Sequence, residues 1–148
     1  MATVRFTVQR PLDLPAQDVF DELIDWRGHA HWVPMTRVVI EEDAGDVGTV
    51  FVATTGIGPL ALPDRMRVDA LDRDAMTVRI AKIGPVLTGD VVLQVDRTTD
   101  RSCELLWDEQ VRVPVLPQFL AAPVGAVAKV AFSRAITSMA KHVRSRRS

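Results

Sequence analysis

The sequence has little cysteine, few aromatic residues and no marked excess of charge of either sign. Cys103 is the only cysteine among 148 residues, which excludes an internal disulfide and leaves no cysteine pair to bind a metal. A lone cysteine at an alternating strand position is typical of a small core residue, and it favours a reducing compartment. The formal net charge of -1 excludes an overall basic field, so we do not expect nucleic acid as a partner.

Long hydrophobic runs are also missing from the sequence. Residues 1–10 lack a basic region followed by an apolar run, and we find no stretch of about 18 apolar residues. These observations predict a cytoplasmic protein. With 47% hydrophobic residues, the chain can bury a sizeable core, and we expect a single domain over residues 1–148.

The common catalytic motifs are absent. There is no glycine-rich phosphate loop, no serine-nucleophile elbow and no cysteine–histidine cluster, so the sequence predicts neither a cofactor nor a metal. His29 and His31 are two residues apart, a spacing that separates them on a helix, and we interpret them as surface or loop histidines.

The order of elements is the most informative pattern. Residues 3–9 alternate as a half-buried strand, Pro15 opens a short helix that extends to about Asp25, and a second helical turn fits before Pro34. Six further strands are predicted at about 36–42, 47–55, 64–72, 75–83, 86–97 and 102–113. Short connections between them indicate an antiparallel meander. A long helix then begins between Pro117 and Pro123 and continues to about Arg144.

The apolar side of this last helix is lined by small residues. Gly125, Ala128, Ala131 and Ala135 share it, whereas Lys129, Ser133, Arg134, Thr137, Lys141 and Arg144 lie opposite. Small residues facing a curved sheet favour an internal cavity, and cavities of that kind usually hold ligands. Equally, large sheet residues such as Met66 and Trp107 could fill the space.

Alternation places the acidic residue Glu109 on an apolar strand face, together with Cys103, Leu105 and Trp107. A buried carboxylate has to be paired with a cation, hydrogen-bonded or protonated. Lys82 and Arg65 are the candidate cations. Glu109 is therefore a weak candidate for a general base, with a structural ion pair as the alternative.

Residues 56–63 form an apolar segment where a polar hairpin tip would be usual. We interpret it as a portal, or as a surface that packs on the body or on a second subunit through Ile57, Leu60 and Leu62. The basic residues at the end of the chain, Lys141, Arg144, Arg146 and Arg147, complement the negative end of the last helix.

Trp26 and Trp32 in the short helices, Gly89 in a long strand, the run Trp107-Asp108-Glu109 and the terminal helix together resemble the START-like superfamily, also called SRPBCC. The chain is most similar to its polyketide cyclase/dehydrase and lipid-transport branch. The resemblance implies an α+β helix-grip fold, in which a seven-stranded antiparallel sheet curls around a long C-terminal helix and two short helices follow the first strand.

The resemblance also implies a deep apolar cavity, and strand and helix faces indicate which residues line it. The predicted ligand-binding residues are Trp32, Met66, Val68, Val78, Ile80, Val91, Leu93, Trp107, Glu109, Phe132, Ala135 and Met139.

Three functions remain open at this point. The first is binding of a small hydrophobic ligand, such as a lipid, polyketide or quinone, by a monomer or homodimer. The second is a polyketide cyclase or aromatase that uses acid–base residues of the cavity. The third is a lipid or quinone carrier that docks on membranes through Ile57, Leu60 and Leu62 with help from the basic tail.

Overall fold

Seven β-strands form one antiparallel sheet in the order β1-β7-β6-β5-β4-β3-β2. The structure is a computed structural model that describes residues 1–147, except the side chain of Leu60. The strands are β1 (Ala2–Leu12), β2 (Thr36–Glu42), β3 (Val50–Thr55), β4 (Leu62–Asp72), β5 (Thr77–Ile83), β6 (Thr88–Thr99) and β7 (Ser102–Val113). The helices are α1 (Ala16–Leu23), α2 (Ala121–Arg147) and 3-10 helices at Arg27–His31, Gly58–Leu60 and Gln118–Leu120. The predicted α+β helix-grip architecture is confirmed.

Strand alternation determines which side chains reach the core. In β1, Val4, Phe6 and Val8 are buried, and in β7 Cys103 and Leu105 are buried on the same side of the sheet. The residues between them are exposed or half-buried, as a period of two requires. β2 and β7 have the bounds predicted from the sequence, because turn residues flank both strands closely.

Helix α2 lies along β1 and runs in the same direction. Phe132 stacks on Phe6 with ring centroids 5.1 Å apart, and the Arg10 guanidinium donates a hydrogen bond of 2.9 Å to the Ser133 carbonyl. Near the start of α2, a side-chain Cβ at Gly125 would lie 3.1 Å from the Arg5 carbonyl oxygen. Gly125 therefore allows close packing of helix on strand instead of leaving room there.

The small-residue face is narrower than the sequence predicts. Ala135 is buried and Ala128 is half-buried, but Ala131 is exposed. Its position on the helix turns it to solvent, because α2 packs on the sheet mainly along β1. The inclusion of Ala131 in the inward face was wrong.

The basic end of α2 is held by the first helix. Glu22 of α1 is buried and lies 3.1 Å from Arg146 and 3.3 Å from His142, while Arg147 pairs with Asp18. Two of the four terminal cations thus neutralise carboxylates of α1. At 1.5 Å per residue, this end lies about 40 Å from the start of α2.

The segment Gln118–Arg147 is long and apolar enough, by length and composition, to cross a membrane. This corrects the expectation that no segment has that character. Within the fold, however, Ile136, Met139 and Val143 from its second half belong to the core. The helix is therefore an integral part of the domain.

Three loops meet at one end of the sheet. The register pairs Thr55 with Leu62, Ile83 with Thr88, and Thr88 with Arg112. The β3–β4 loop (56–61), the β5–β6 loop (84–87) and the β7–α2 connection (114–120) consequently lie at the same end, opposite α1 and the basic end of α2.

Candidate functional site

A cavity of about 100 Å³ lies between the concave face of the sheet and α2. Six strands, the 3-10 helix after α1 and α2 contribute to its wall, because their inward-facing residues converge where the sheet curls. The lining residues are His29, Val33, Thr36, Phe51, Ala53, Thr55, Asp64, Met66, Ile80, Lys82, Val91, Leu93, Trp107, Glu109 and Phe132.

A buried lysine stands at the centre of the polar part of this wall. The Lys82 ammonium lies 3.0 Å from Oε1 of Glu109 and also donates a hydrogen bond to Oδ2 of Asp64. Lys82 and Glu109 are 7% and 5% exposed, so water screens their attraction very little. One cation therefore bridges two carboxylates inside a largely apolar pocket.

Glu109 uses both carboxylate oxygens within the protein. Oε1 faces Lys82, and Oε2 accepts a hydrogen bond of 3.0 Å from the indole Nε1 of Trp107. Trp107 and Glu109 are two residues apart on β7, and they therefore share the concave face. These two partners stabilise the buried charge of Glu109 and fix its orientation.

Gly89 leaves the space across which Lys82 reaches Glu109. It pairs with Lys82 on one side and with Val111 on the other, so it stands on the strand between the two charged residues. Its φ of 148° is one that side chains rarely adopt, and a Cβ there would lie 2.0 Å from the Gln110 carbonyl oxygen. Only glycine fits at this position.

Of the two carboxylates that contact Lys82, Asp64 is the one with an oxygen that has no hydrogen-bond partner among the described residues. Its Oδ2 accepts from Lys82, while its Oδ1 is buried and has no hydrogen-bond partner in the described part of the chain. Burial raises the pKa of Asp64 above its usual range, although Lys82 opposes this shift. Because Asp64 lines the cavity, this unpaired acceptor is suited to a ligand hydroxyl or amine hydrogen.

Lys82 stays protonated in this environment. Burial on its own lowers the pKa of the lysine, but the attraction of Glu109 and Asp64 outweighs burial and raises that pKa overall. At neutral pH the site therefore has a fixed positive charge between two acidic groups.

His29 lies half-buried in the wall. Its Nε2 donates a hydrogen bond of 2.7 Å to the Leu23 carbonyl, and its ring packs 4.8 Å from Trp32 and 5.8 Å from Trp26, centroid to centroid. Burial lowers the pKa of His29, so the ring is neutral at pH 7 and Nδ1 keeps its lone pair. The sequence-based interpretation of His29 as a surface or loop histidine was wrong.

A wider cleft of about 410 Å³ adjoins the cavity. Val33 and Thr36 line both spaces, and Met35, Gly56 and Ile57 form the outer part of the cleft. The two spaces together could accommodate a molecule longer than the inner cavity alone.

Seven of the twelve residues predicted to bind ligand line the inner cavity. They are Met66, Ile80, Val91, Leu93, Trp107, Glu109 and Phe132. Trp32 is buried and lines the wider cleft instead. Val68, Val78, Ala135 and Met139 are buried in the hydrophobic core and do not line the cavity.

Of the two candidate cations for Glu109, Lys82 is the partner. Arg65 is exposed and pairs with Glu41 at 2.6 Å on the outer surface. Asp64, His29 and Lys82 were not among the predicted site residues. Asp64 alternates with Met66 and Val68 on β4, so strand periodicity contained the information needed to find it.

No cluster of three or more histidine, cysteine, aspartate or glutamate side chains in the described residues could hold a metal ion. Asp64 and Glu109 already neutralise Lys82. The charged groups of the cavity wall are thus one cation and two carboxylates in direct contact.

Comparison with known proteins gives structural relatives only. No protein-family model matches the sequence, and no curated protein matches it either. A START superfamily protein from Mycobacterium smegmatis superposes with a TM-score of 0.78 at 12% identity, over 95% of this chain and 97% of that one.

Two enzymes have a similar structure. Norcoclaurine synthase from Thalictrum flavum has a TM-score of 0.74 at 16% identity, over 99% of this chain and 98% of that one. An aromatase/cyclase from a Streptomyces species has a TM-score of 0.72 at 14% identity, over 95% and 91% of the two chains. At these identities the likeness concerns the fold, and this chain has the START/SRPBCC-like fold.

Proposed function

We propose that this protein binds a small, mainly apolar molecule that carries one hydrogen-bond donor, such as a phenolic or alcoholic hydroxyl. The ligand occupies the cavity between sheet and α2, with its donor on Asp64. The observation that carries the proposal is that Asp64, which lines the cavity, has a buried Oδ1 with no partner among the described residues.

The remaining lining supports an apolar ligand. Phe51, Ile80, Leu93 and Phe132 present hydrocarbon surface around a few convergent polar groups, which is the usual composition of a small-molecule site. The fold belongs to a group that includes ligand-binding and cyclase proteins. The likeness supports a binding function without identifying the ligand.

The volume of the inner cavity limits the size of the ligand. About 100 Å³ is less than the roughly 300–1,000 Å³ of sites for drug-sized molecules. A single aromatic ring is the upper limit for the inner cavity, since an engineered apolar cavity of about 150 Å³ holds benzene. A longer ligand would place its donor-bearing end inside and the rest in the adjoining cleft.

Two isomeric probes test the proposal. p-Cresol can donate a hydrogen bond, whereas anisole has the same atoms and only accepts. We expect the protein to bind p-cresol more tightly, by roughly tenfold, because a hydrogen bond to a charged group contributes about 1.5–3 kcal/mol. Equal affinity for the two probes would contradict the proposed role of Asp64.

Asp64→Asn gives the matched variant. The Lys82 ammonium requires an oxygen, so the asparagine carbonyl should face Lys82 and its amide group should face the cavity. This change replaces an acceptor by a donor at the ligand, and the preference for p-cresol should disappear. Glu109→Gln should retain the preference, because Glu109 has protein partners for both oxygens.

A second candidate function is general acid–base catalysis, and the raised pKa of Asp64 favours it. A carboxylate with a raised pKa beside a fixed ammonium can remove a proton from a carbon next to a carbonyl, while Lys82 stabilises the developing oxyanion. In this scheme Asp64, and not the fully paired Glu109, is the base.

Proton exchange tests the catalytic candidate without knowledge of the natural substrate. We would follow incorporation of deuterium into the methyl group of acetophenone in D₂O by NMR. Catalysis requires that the protein accelerate exchange and that Asp64→Asn abolish the acceleration, while Arg65→Gln on the outer surface has no effect. An unaccelerated rate would leave binding as the only proposed function.

A further inference from the structure

The exposed hydrophobic residues of this protein are concentrated at one end. Met35, Ile57, Val86, Val115 and Phe119 belong to the end of the sheet where the three loops meet, and we call this set the apolar rim. Ile57, Val115 and Phe119 are 73%, 92% and 80% exposed. Such side chains are usually buried, so a cluster of them indicates a contact surface.

The first half of α2 extends this surface. Val124, Val127 and Val130 are exposed, and they recur every three residues along one side of the helix. Only 17% of the most apolar window of the segment Gln118–Arg147 is buried in the fold. Apart from Val39 and Val47, all large hydrophobic residues exposed in the described part of the chain lie at this end or on this half of α2.

Charge distinguishes this end of the molecule from the rest. The three loops, residues 56–61, 84–87 and 114–120, contain no charged residue, and the last acidic residue of the chain is Glu109. Arg37, Arg112 and Lys129 are exposed beside the rim and the helix stripe, and none belongs to an ion pair of the described residues. Alternation places the exposed acid Asp90 on the outer face of the sheet, and it places Arg112 on the same face two residues further along the paired strand, so Asp90 offsets the charge of Arg112 but not that of Lys129 on α2.

We propose that the apolar rim and the first half of α2 dock on the surface of an anionic lipid bilayer. Aliphatic and aromatic side chains inserted below the headgroups, with cations at headgroup level, are the combination that holds a protein at a membrane interface. This goes beyond ligand binding, although Ile57 and Met35 also line the outer cleft, so docking would place the cleft against lipid.

The basic end of the chain has no part in this contact. Arg146 and Arg147 pair with α1 at the opposite end of the molecule, so they cannot assist a surface formed by Ile57 and its neighbours. The sequence-based docking hypothesis combined the two regions, and only the loop part of it remains compatible with the structure. Leu62 is 44% exposed, whereas the side chain of Leu60 lies outside the described residues.

A second copy of the chain is the main alternative partner for this surface. The charges of the surface argue against such a contact. In a symmetric contact through this surface, Arg37 and Lys129 of one copy would meet loops of the other copy that carry no acidic residue. Helix α2 contains no acidic residue that could neutralise them. An anionic surface satisfies these charges, whereas a second copy does not.

Vesicle flotation tests the proposal on ligand-free protein. Vesicles of phosphatidylcholine alone are compared with vesicles that also contain phosphatidylglycerol. We expect the protein to float with the anionic vesicles and to bind the neutral ones at least tenfold more weakly. Failure to float with anionic vesicles would overturn the proposal and leave ligand binding in the cavity untouched.

Variants at exposed positions identify the surface without disturbing the core. Ile57→Asp/Val115→Asp should reduce vesicle binding at least tenfold, whereas Val47→Asp, at an exposed apolar position in the β2–β3 loop at the far end, should not. Arg37→Gln and Lys129→Gln should each reduce it about fivefold, and Lys141→Gln should have no effect. Equal losses in the rim variant and in Val47→Asp would contradict the assignment.

Two further measurements separate the alternatives. Sedimentation velocity should show no dimer that Ile57→Asp/Val115→Asp dissociates, and such a dimer would overturn the proposal in favour of a second copy. Asp64→Asn should float as the unchanged protein does, because Asp64 lies inside the cavity. Docking and ligand binding can therefore fail independently.

Discussion

The ammonium of Lys82 lies 3.0 Å from the carboxylate of Glu109, although the two residues belong to strands separated by β6. Gly89 is the residue of β6 that pairs with Lys82, and it has no side chain to obstruct the lysine. Asp64 approaches from the opposite side on β4. The polar centre of the cavity thus depends on one cation shared by two acids.

Removal of the shared cation should be strongly destabilising. Lys82→Met leaves Asp64 and Glu109 without their partner in a buried site, and loss of one member of a buried ion pair costs about 3–5 kcal/mol. Urea denaturation at pH 7 measures the free energy of unfolding.

Arg65→Met is the matched control, because it breaks the pair between Arg65 and Glu41 on the outer surface. Exposed pairs contribute about 0–1 kcal/mol, so its effect should be small. If the two variants lost the same free energy of unfolding, Lys82 would not have the central role described above.

Gly89→Ala should destabilise the protein mainly through a steric clash. The added Cβ would lie 2.0 Å from a backbone oxygen that cannot rotate away, in addition to the cost of the positive φ. We expect a loss of more than about 2 kcal/mol in the free energy of unfolding, measured by thermal or urea denaturation.

Gly45→Ala isolates the conformational part of this effect. Gly45 also has a positive φ, of 85°, but no atom lies within 4 Å of a Cβ built there. Its substitution should cost about 1 kcal/mol. A similar loss in both variants would show that β6 shifts to relieve the contact at Gly89.

The free energy of unfolding should decrease as the pH falls, because of the protonation of His29. Because burial lowers the pKa of the folded histidine below 6.5, the unfolded chain takes up a proton first as the pH decreases. The free energy of unfolding therefore declines from about pH 7 until the folded ring also titrates. His29→Gln keeps a donor for the Leu23 carbonyl and should flatten this slope between pH 7 and 5; an unchanged slope would exclude the effect.

The thiol of Cys103 should be unreactive in the folded protein. It is 1% exposed, and burial raises its pKa to about 11. At pH 8 a reagent therefore cannot reach the sulfur easily, and only a small fraction of the thiol is ionised. The rate of labelling by a disulfide reagent should follow the rate of unfolding, and rapid labelling in native buffer would contradict this placement.

The sequence predicts the sheet and its faces well because strand periodicity and turn residues are local properties. Glu109 could be assigned to the concave face from its alternation with Trp107. Its partner could not be assigned, because the contact with Lys82 depends on the register of β5, β6 and β7 and on the curvature at Gly89. Those are long-range features that no local pattern contains.

His29 shows a different limit of sequence reasoning. Its position in a short 3-10 helix between Trp26 and Trp32 follows from tertiary packing, and the spacing of His29 and His31 alone indicated two surface residues. Conversely, Val68 and Val78 share the concave face as predicted but lie beyond the end of the cavity. Alternation determines which face of the sheet a side chain points to. Whether that side chain reaches the cavity depends on the elements that pack against that face.

NMR of protein labelled with ¹³C at the methionine methyl groups tests the proposed ligand site most directly. The chain has five methionines; Met66 lines the cavity, Met35 lines the adjoining cleft, Met76 and Met139 lie in the core, and Met1 is exposed. Titration with p-cresol should shift the Met66 methyl signal in a saturable way, with smaller changes at Met35 and none at Met1. A Met66 signal that does not move, or that moves no more than the signal of Met1, would contradict binding in this cavity.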